Sequence, residues 1–173
     1  MMKAFESLEQ LEQMCHLSAL AGHEKAMIEF MKQEMLKHLS DVHVDRLGNV
    51  IGVKPGTDPA GPKVMIFAHM DEVGFMVRKI DADGFVRITR VGGIPEKSLP
   101  AQRVVLQGLN GPVTGVIGPK SHHLTPAEEK FKVVPINDLF VDIGAHSKQD
   151  AEQMGVQVGT PITYQGFFEE MPG

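Results

Sequence analysis

The chain has 173 residues, a net charge of −5, and an ordinary globular composition with 42% hydrophobic and 23% charged residues. This composition excludes a disordered chain, and the absence of any basic block argues against a nucleic-acid partner. No run approaches the roughly 18 consecutive apolar residues that a membrane span needs, and the amphipathic N-terminus lacks the apolar centre of a signal peptide. The single cysteine, Cys15, is typical of a reducing compartment. We therefore expect a cytoplasmic protein without a membrane partner.

Apolar spacing in the first part of the chain predicts two helices, over residues 4–18 and 23–39. Cys15 lies in the apolar stripe of the first helix, and we interpret it as a core residue rather than a nucleophile. Residues 41–44 then alternate as a strand. The turn that follows contains Gly48-Asn49, and both residues tolerate the positive φ that hairpin turns need.

A nearly continuous apolar run follows a loop rich in proline and glycine. Residues 63–68 read Lys-Val-Met-Ile-Phe-Ala. An uninterrupted apolar run of this length is typical of a strand covered on both faces, as in the centre of an α/β sheet. We therefore predict a central strand over residues 63–68.

From Gly74 onward the pattern changes to short strands and turns. Asp81-Ala82-Asp83-Gly84 is a hairpin signal, and Ser147 is placed to cap a short helix over 148–154 that ends at Gly155. Such regular spacing predicts a small barrel or sandwich. The predicted strands of this region cover residues 74–80, 84–91, 103–108, 111–117 and 139–143, and a final strand is predicted over 161–165.

The strongest candidate for chemistry is the segment Ala68-His69-Met70-Asp71-Glu72-Val73-Gly74. His69 and Asp71 are two residues apart, so in a strand their side chains point the same way. Neutral imidazole is a good zinc ligand, and a nearby carboxylate can orient the ring. The spacing thus favours a metal site at His69 supported by Asp71. The alternative is that His69 ends a strand and forms only local hydrogen bonds.

Several segments together resemble one enzyme family, the tetrahedral dinuclear metallo-aminopeptidases. This family includes glutamyl and deblocking aminopeptidases and proteins once labelled cellulase M or endoglucanase. The segments that carry the resemblance occur in order along almost the whole chain, as Ala19–Glu24, Asp45–Asn49, Ala68–Gly74, Val91–Gly93, His123–Pro126, Asp142–Ala145 and Gly155–Thr160.

The resemblance implies a fold with one domain inserted into another. An α/β zinc-peptidase-like catalytic domain, present only in part, would begin at residues 1–73. A small β-barrel, described as PDZ-like, would occupy residues 74–160 and build a homo-oligomer. Residues 161–173 would return to the catalytic domain.

The resemblance also implies a mechanism and a set of ligands. Two divalent metal ions, zinc or cobalt, would hold the hydroxide that attacks a peptide substrate. By position, His69 would be a metal ligand and Asp71 the catalytic carboxylate that orients it. The other ligands and the general base would lie beyond Gly173. The resemblance therefore implies an inactive N-terminal portion of an aminopeptidase that binds at most one metal ion, and binds it weakly.

Two other clusters are weaker candidates. Glu169-Glu170 is similar to a catalytic pair of the family but lies too early in the chain, so we interpret it as a solvated strand end. His122 and His123 are adjacent, and no third ligand is obvious nearby. We interpret them as an accessory part of the inserted domain.

Two other functions stay open at this point. A product of a truncated gene could serve as a non-enzymatic assembly or binding module. The family's older label also raises a glycan hydrolase, but glycosidases usually need two carboxylates facing across a sugar, and no convincing pair is present. If the catalytic domain is partial, apolar residues in its helices and in the strand at 63–68 should be exposed. We then expect the β-rich region to be the better-ordered part.

Overall fold

Two helices and a hairpin form the first part of the structure, a computed structural model that describes residues 2–171, with side chains from residue 7 onward. Helix α1 spans Met2–His16 and helix α2 spans Lys25–Leu36. Strands β1 (Asp41–Val44) and β2 (Val50–Val53) pair antiparallel. These elements agree with the predicted ones, although both helices end earlier than the apolar pattern indicated.

The turn between β1 and β2 forms for a local reason. The carboxylate of Asp45 accepts hydrogen bonds from the backbone amides of Leu47 and Asn49, and Gly48 has a φ of +91°. This side-chain acceptor takes two amides that the tight turn leaves without backbone partners.

The rest of the chain builds a closed antiparallel barrel in the strand order β3-β4-β7-β6-β5-β8. Each strand has a neighbour on both sides, although β4 and β7 pair only at Val86 and Val141. The predicted hairpins are confirmed, since β3 pairs with β4 and β5 with β6. The barrel strands are β3 (Gly74–Ile80), β4 (Val86–Val91), β5 (Arg103–Gly108), β6 (Gly111–Gly118), β7 (Phe140–Asp142) and β8 (Pro161–Tyr164).

Aliphatic side chains and one aromatic ring fill the barrel. Small closed barrels are filled in this way by inward-pointing side chains. The Phe75 ring meets Tyr164 edge to face at 5.6 Å between centroids. The fully buried members of the core include Phe75, Val77, Val86, Ile88, Leu99, Val104, Leu106, Ile117, Leu139, Val141 and Ile162.

Helix α3 (Lys148–Gln153) buries Ala151 in the core and has the predicted caps. The Ser147 hydroxyl accepts a hydrogen bond from the Asp150 amide at 3.1 Å. Gly155 follows the helix with a φ of +86°. The side chain at the start and the left-handed glycine at the end confirm both capping predictions.

Two predictions of the sequence are wrong. Residues 63–68 are not a strand, and Val64, Met65, Ile66 and Phe67 are 82–95% exposed. No described strand lies beside this segment to supply hydrogen bonds, and an apolar composition cannot replace such a neighbour. Cys15 is exposed rather than part of the core.

The last strand belongs to the barrel. Strand β8 pairs with both β3 and β5 and thereby closes the barrel. The barrel therefore extends beyond residue 160, where the sequence placed the end of the inserted domain. Residues 172 and 173 of the predicted return segment lie outside the described residues. No helix within residues 2–171 has the length and apolarity required to cross a bilayer.

Candidate functional site

The side chains of His69 and Asp71 contact each other, as their spacing predicted. His69 Nδ1 lies 3.0 Å from Asp71 Oδ1 and 3.1 Å from the Asp71 carbonyl oxygen. Both neighbours are acceptors, so the arrangement favours a proton on Nδ1. Nε2 then carries the free lone pair, which is the atom a metal ion would bind.

The pair lies at the surface. The side chain of His69 is 84% exposed and that of Asp71 is 42% exposed. A metal ion can therefore reach Nε2 without a rearrangement of the described residues. The imidazole and its supporting carboxylate fit the role of one metal ligand.

The neighbouring Glu72 attaches this segment to the linker between α1 and α2. Its backbone N–H donates to the Ala19 carbonyl at 2.8 Å, and its Oε1 accepts the Ala19 N–H at 2.9 Å. Burial raises the pKa of the Glu72 carboxyl, and the hydrogen bond from Ala19 acts in the opposite direction. No local sequence pattern indicates this role, because the two partners are 53 residues apart.

The linker is in turn attached to the barrel. Ser18 Oγ lies 2.8 Å from Thr163 Oγ1 of strand β8, and Gln107 Nε2 donates to Ser18 Oγ at 2.7 Å. Ala19 and Leu20 are buried, at 1% exposure each. A continuous set of contacts therefore connects the barrel to the residues beside His69.

Within residues 2–171, no group of three or more His, Cys, Asp or Glu side chains is arranged to hold a metal ion. His69 and Asp71 have no third side chain of these types beside them among the described residues. His122 and His123 stack edge to face with centroids 6.0 Å apart, on an exposed turn. Glu169 and Glu170 are also exposed.

A cleft of about 740 Å³ lies elsewhere, between strands β4 and β7 and the loop over residues 119–138. Phe85 and Phe140 stack in it at 4.4 Å between centroids, and Arg87 lies over the Phe140 ring at 5.7 Å. His69 and Asp71 do not line this cleft. Among the described residues, His69 and Asp71 therefore lie at the surface and outside this cleft.

Comparison with known proteins gives consistent matches along almost the whole chain. A family model described as M42 glutamyl aminopeptidase matches residues 48–173. SgcX of Escherichia coli (strain K12), provisionally named an aminopeptidase, is 44% identical over 160 residues, which are 92% of this chain and 43% of that protein.

Solved structures show the same fold. The TET aminopeptidase of Thaumarchaeota archaeon SCGC AB-539-E09 matches with a TM-score of 0.91 at 34% identity, covering 98% of this chain and 47% of that one. The Pyrococcus horikoshii TET1 peptidase, which can assemble into a tetrahedron or a large octahedral shell, matches with a TM-score of 0.74 at 30% identity, covering 91% and 46%. The chain thus spans less than half the length of each of these three proteins.

Proposed function

Because the chain belongs to the M42 glutamyl aminopeptidase family, we propose that it forms the N-terminal part of a metal-dependent aminopeptidase. The complete enzyme would remove N-terminal residues from peptides in the cytoplasm. The observation that carries the proposal is that the family match includes His69, whose imidazole Asp71 holds with Nε2 free.

In this proposal His69 Nε2 binds one of two divalent metal ions, zinc or cobalt. Asp71 keeps the proton on Nδ1 and fixes the plane of the ring, as carboxylates do for many metal-bound histidines. When bound, such ions polarise a carbonyl and supply hydroxide at neutral pH. His69 and Asp71 contribute binding and orientation, while the general base lies outside the described residues.

We propose that the polypeptide of residues 1–173 is inactive alone. His69 is one ligand, and the described residues supply no group of three that could hold a metal ion. One exposed imidazole binds zinc or cobalt only weakly, because structural and catalytic sites use three or four protein ligands.

The barrel has a second role in this proposal, as a PDZ-like assembly domain of a homo-oligomer. Its strands close around a core of their own, built from residues between Phe75 and Ile162. The similarity to the TET1 peptidase, which can assemble into large shells, supports this role.

A chimera tests the proposal. The part of the TET1 peptidase that matches this chain would be replaced by residues 1–173, and hydrolysis of aminoacyl-nitroanilides would be measured with added cobalt or zinc. We expect turnover that a chelator abolishes and that His69→Ala removes. The matched control is His43→Ala, which changes another exposed histidine.

Two results would contradict the proposal. A folded chimera that retains full activity after His69→Ala would show that His69 is not a ligand. Chelator-sensitive turnover by the purified 173-residue chain would show that this part is active alone.

The alternative is a non-enzymatic assembly module, favoured by the closed barrel with its own core. Native mass spectrometry separates the two functions. A defined oligomer of the 173-residue chain whose mass is unchanged by zinc, together with an inactive chimera, would favour the assembly module.

A further inference from the structure

We infer that Glu72 is a positioning residue for His69, and that it sets the direction of the imidazole by attaching residues 69–73 to the linker at Ala19. This inference rests on the proposed function, in which His69 binds a metal ion. Glu72 itself is not expected to touch the metal ion or the substrate.

The contact between Glu72 and Ala19 runs in both directions. The Glu72 N–H donates to the Ala19 carbonyl at 2.8 Å, while the Glu72 carboxylate accepts the Ala19 N–H at 2.9 Å. Leu20 and Glu72 also form an isolated parallel bridge. A single hydrogen bond would allow the segment to rotate about it, whereas two bonds between the same residues fix both its position and its orientation.

The residues before His69 cannot position it in the same way. Val64 to Phe67 are largely exposed, and no described strand lies beside them. The His69 ring is itself mostly exposed and is held by Asp71. The attachment at Glu72 is therefore the nearest fixed point along the chain.

The other end of the attachment is buried and held by the barrel. Ala19 and Leu20 are buried, and Ser18 contacts the buried hydroxyl of Thr163 inside the barrel wall. Glu72 thus transmits the position of the barrel to the segment that carries His69. Without the side-chain bond of Glu72, only the backbone bond from Glu72 N–H to Ala19 remains, and residues 69–73 can rotate about it.

The chemistry of position 72 determines which variants are informative. Glutamine keeps an acceptor oxygen at the same reach, so Glu72→Gln should retain the bond from the Ala19 N–H. Aspartate keeps the charge but is shorter by one methylene and should lose the bond. Alanine loses the acceptor altogether and leaves a buried N–H without its partner, which is costly.

Nuclear magnetic resonance of the 173-residue chain tests the inference. The ring nitrogens of His69 report its tautomer, and the amide of Ala19 reports the bond through hydrogen exchange. In Glu72→Ala and Glu72→Asp we expect Ala19 protection to fall about fivefold, as for loss of one ordinary hydrogen bond. We also expect His69 to change from one tautomer to the mixture of a free ring, because without the second bond the segment no longer holds the oxygens of Asp71 against Nδ1. Glu72→Gln should retain the wild-type spectrum.

The control is Glu24→Ala. Glu24 also accepts a linker amide, that of Gly22 at 2.6 Å, but it does not contact residues 69–73. We expect the His69 signals to be unchanged in this variant. Signals of the core residues Ile88 and Leu106 show whether each variant folds. If Glu72→Ala does not fold, Glu72→Asp provides the test instead.

An unchanged His69 tautomer in folded Glu72→Asp or Glu72→Ala would overturn the role of Glu72, as would an equal loss in Glu72→Gln. These readouts do not depend on peptidase activity. An inactive chimera would therefore count against the proposed function and leave the His69 result to decide the role of Glu72.

Discussion

Asp71 holds the His69 ring through two of its own oxygens, since Nδ1 lies 3.0 Å from the carboxylate Oδ1 and 3.1 Å from the backbone carbonyl. The carboxylate can be removed by mutation, whereas the carbonyl remains. The two contributions to ring orientation can therefore be separated experimentally.

We predict that Asp71→Ala in the chimera described above lowers metal affinity or activity by about 10–100-fold, the usual cost of removing a carboxylate that orients a metal-bound histidine. The affinity for cobalt is measured by titrating the chimera with the metal and monitoring its absorption spectrum. Asp71→Asn is the informative partner, because it keeps an oxygen near Nδ1 without the charge and should lose less. Equal activity of Asp71→Ala and the parent chimera would contradict the role of Asp71.

Much of the barrel was predictable because its signals are local. The hairpin at Asp81–Gly84 and the caps at Ser147 and Gly155 depend on residues within a few positions of one another. The local pattern therefore placed β3, β4 and α3 nearly where the structure has them.

The features that the sequence did not predict depend on distant partners. The run over residues 63–68 has strand composition, but a strand also needs neighbours, and the described residues supply none. The membership of β8 in the barrel depends on pairing with β3 and β5. At the site, the spacing of His69 and Asp71 predicted their contact, whereas the bond between Glu72 and Ala19 required the fold.

We predict that hydrogen exchange divides the chain into two parts. Amides of the barrel, from Gly74 to Tyr164, should exchange most slowly because they are paired in a closed sheet around a buried core. Amides of residues 63–68 should exchange at nearly the unfolded rate, since their side chains are exposed and they lie in no strand. Mass spectrometry of peptic fragments measures both. Protection of residues 2–72 that equals or exceeds that of the barrel would contradict the prediction.

We predict that an ion-pair cluster at the first barrel hairpin makes stability depend on pH. Asp81 is paired with Lys79 at 2.7 Å and with Arg87 at 2.6 Å. Both hydrogen bonds lower the pKa of the Asp81 carboxyl below its ordinary value, and the one from Lys79 has the larger effect. A lowered pKa in the folded state stabilises the protein above the unfolded pKa of about 4, and this contribution is lost as pH falls through the folded value.

The variant Asp81→Asn measures this contribution. At pH 7 it should lower the free energy of unfolding by about 1 kcal/mol or less, because the pairs are partly screened by solvent. The difference from the wild type should shrink below about pH 4. Urea unfolding of both proteins between pH 7 and pH 3 measures this difference in the free energy of unfolding. Asp83→Asn is the control, since Asp83 forms no ion pair with the described residues, and a difference that does not vary with pH would contradict the assignment.

Gly74 lies where the site segment enters the barrel, and we predict that a side chain at this position destabilises the fold. A Cβ at this position would lie 2.3 Å from the carbonyl oxygen of Ile162 and 2.8 Å from Leu20 Cδ1. The first neighbour is backbone of strand β8 and cannot move without opening the barrel pairing. Gly74→Ala should therefore lower the free energy of unfolding by about 1–3 kcal/mol, as overpacking of a dense interior does.

The matched control for Gly74→Ala is Gly93→Ala, because a Cβ at Gly93 meets nothing within 4 Å. We expect that variant to unfold at nearly the wild-type urea concentration. Since Leu20 adjoins the Ala19 contact with Glu72, Gly74→Ala should also weaken protection of the Ala19 amide, whereas Gly93→Ala should not. Equal stability of the two alanine variants would show that β3 and β8 can separate at this point, and that the barrel does not fix the segment carrying His69 as closely as the contacts indicate.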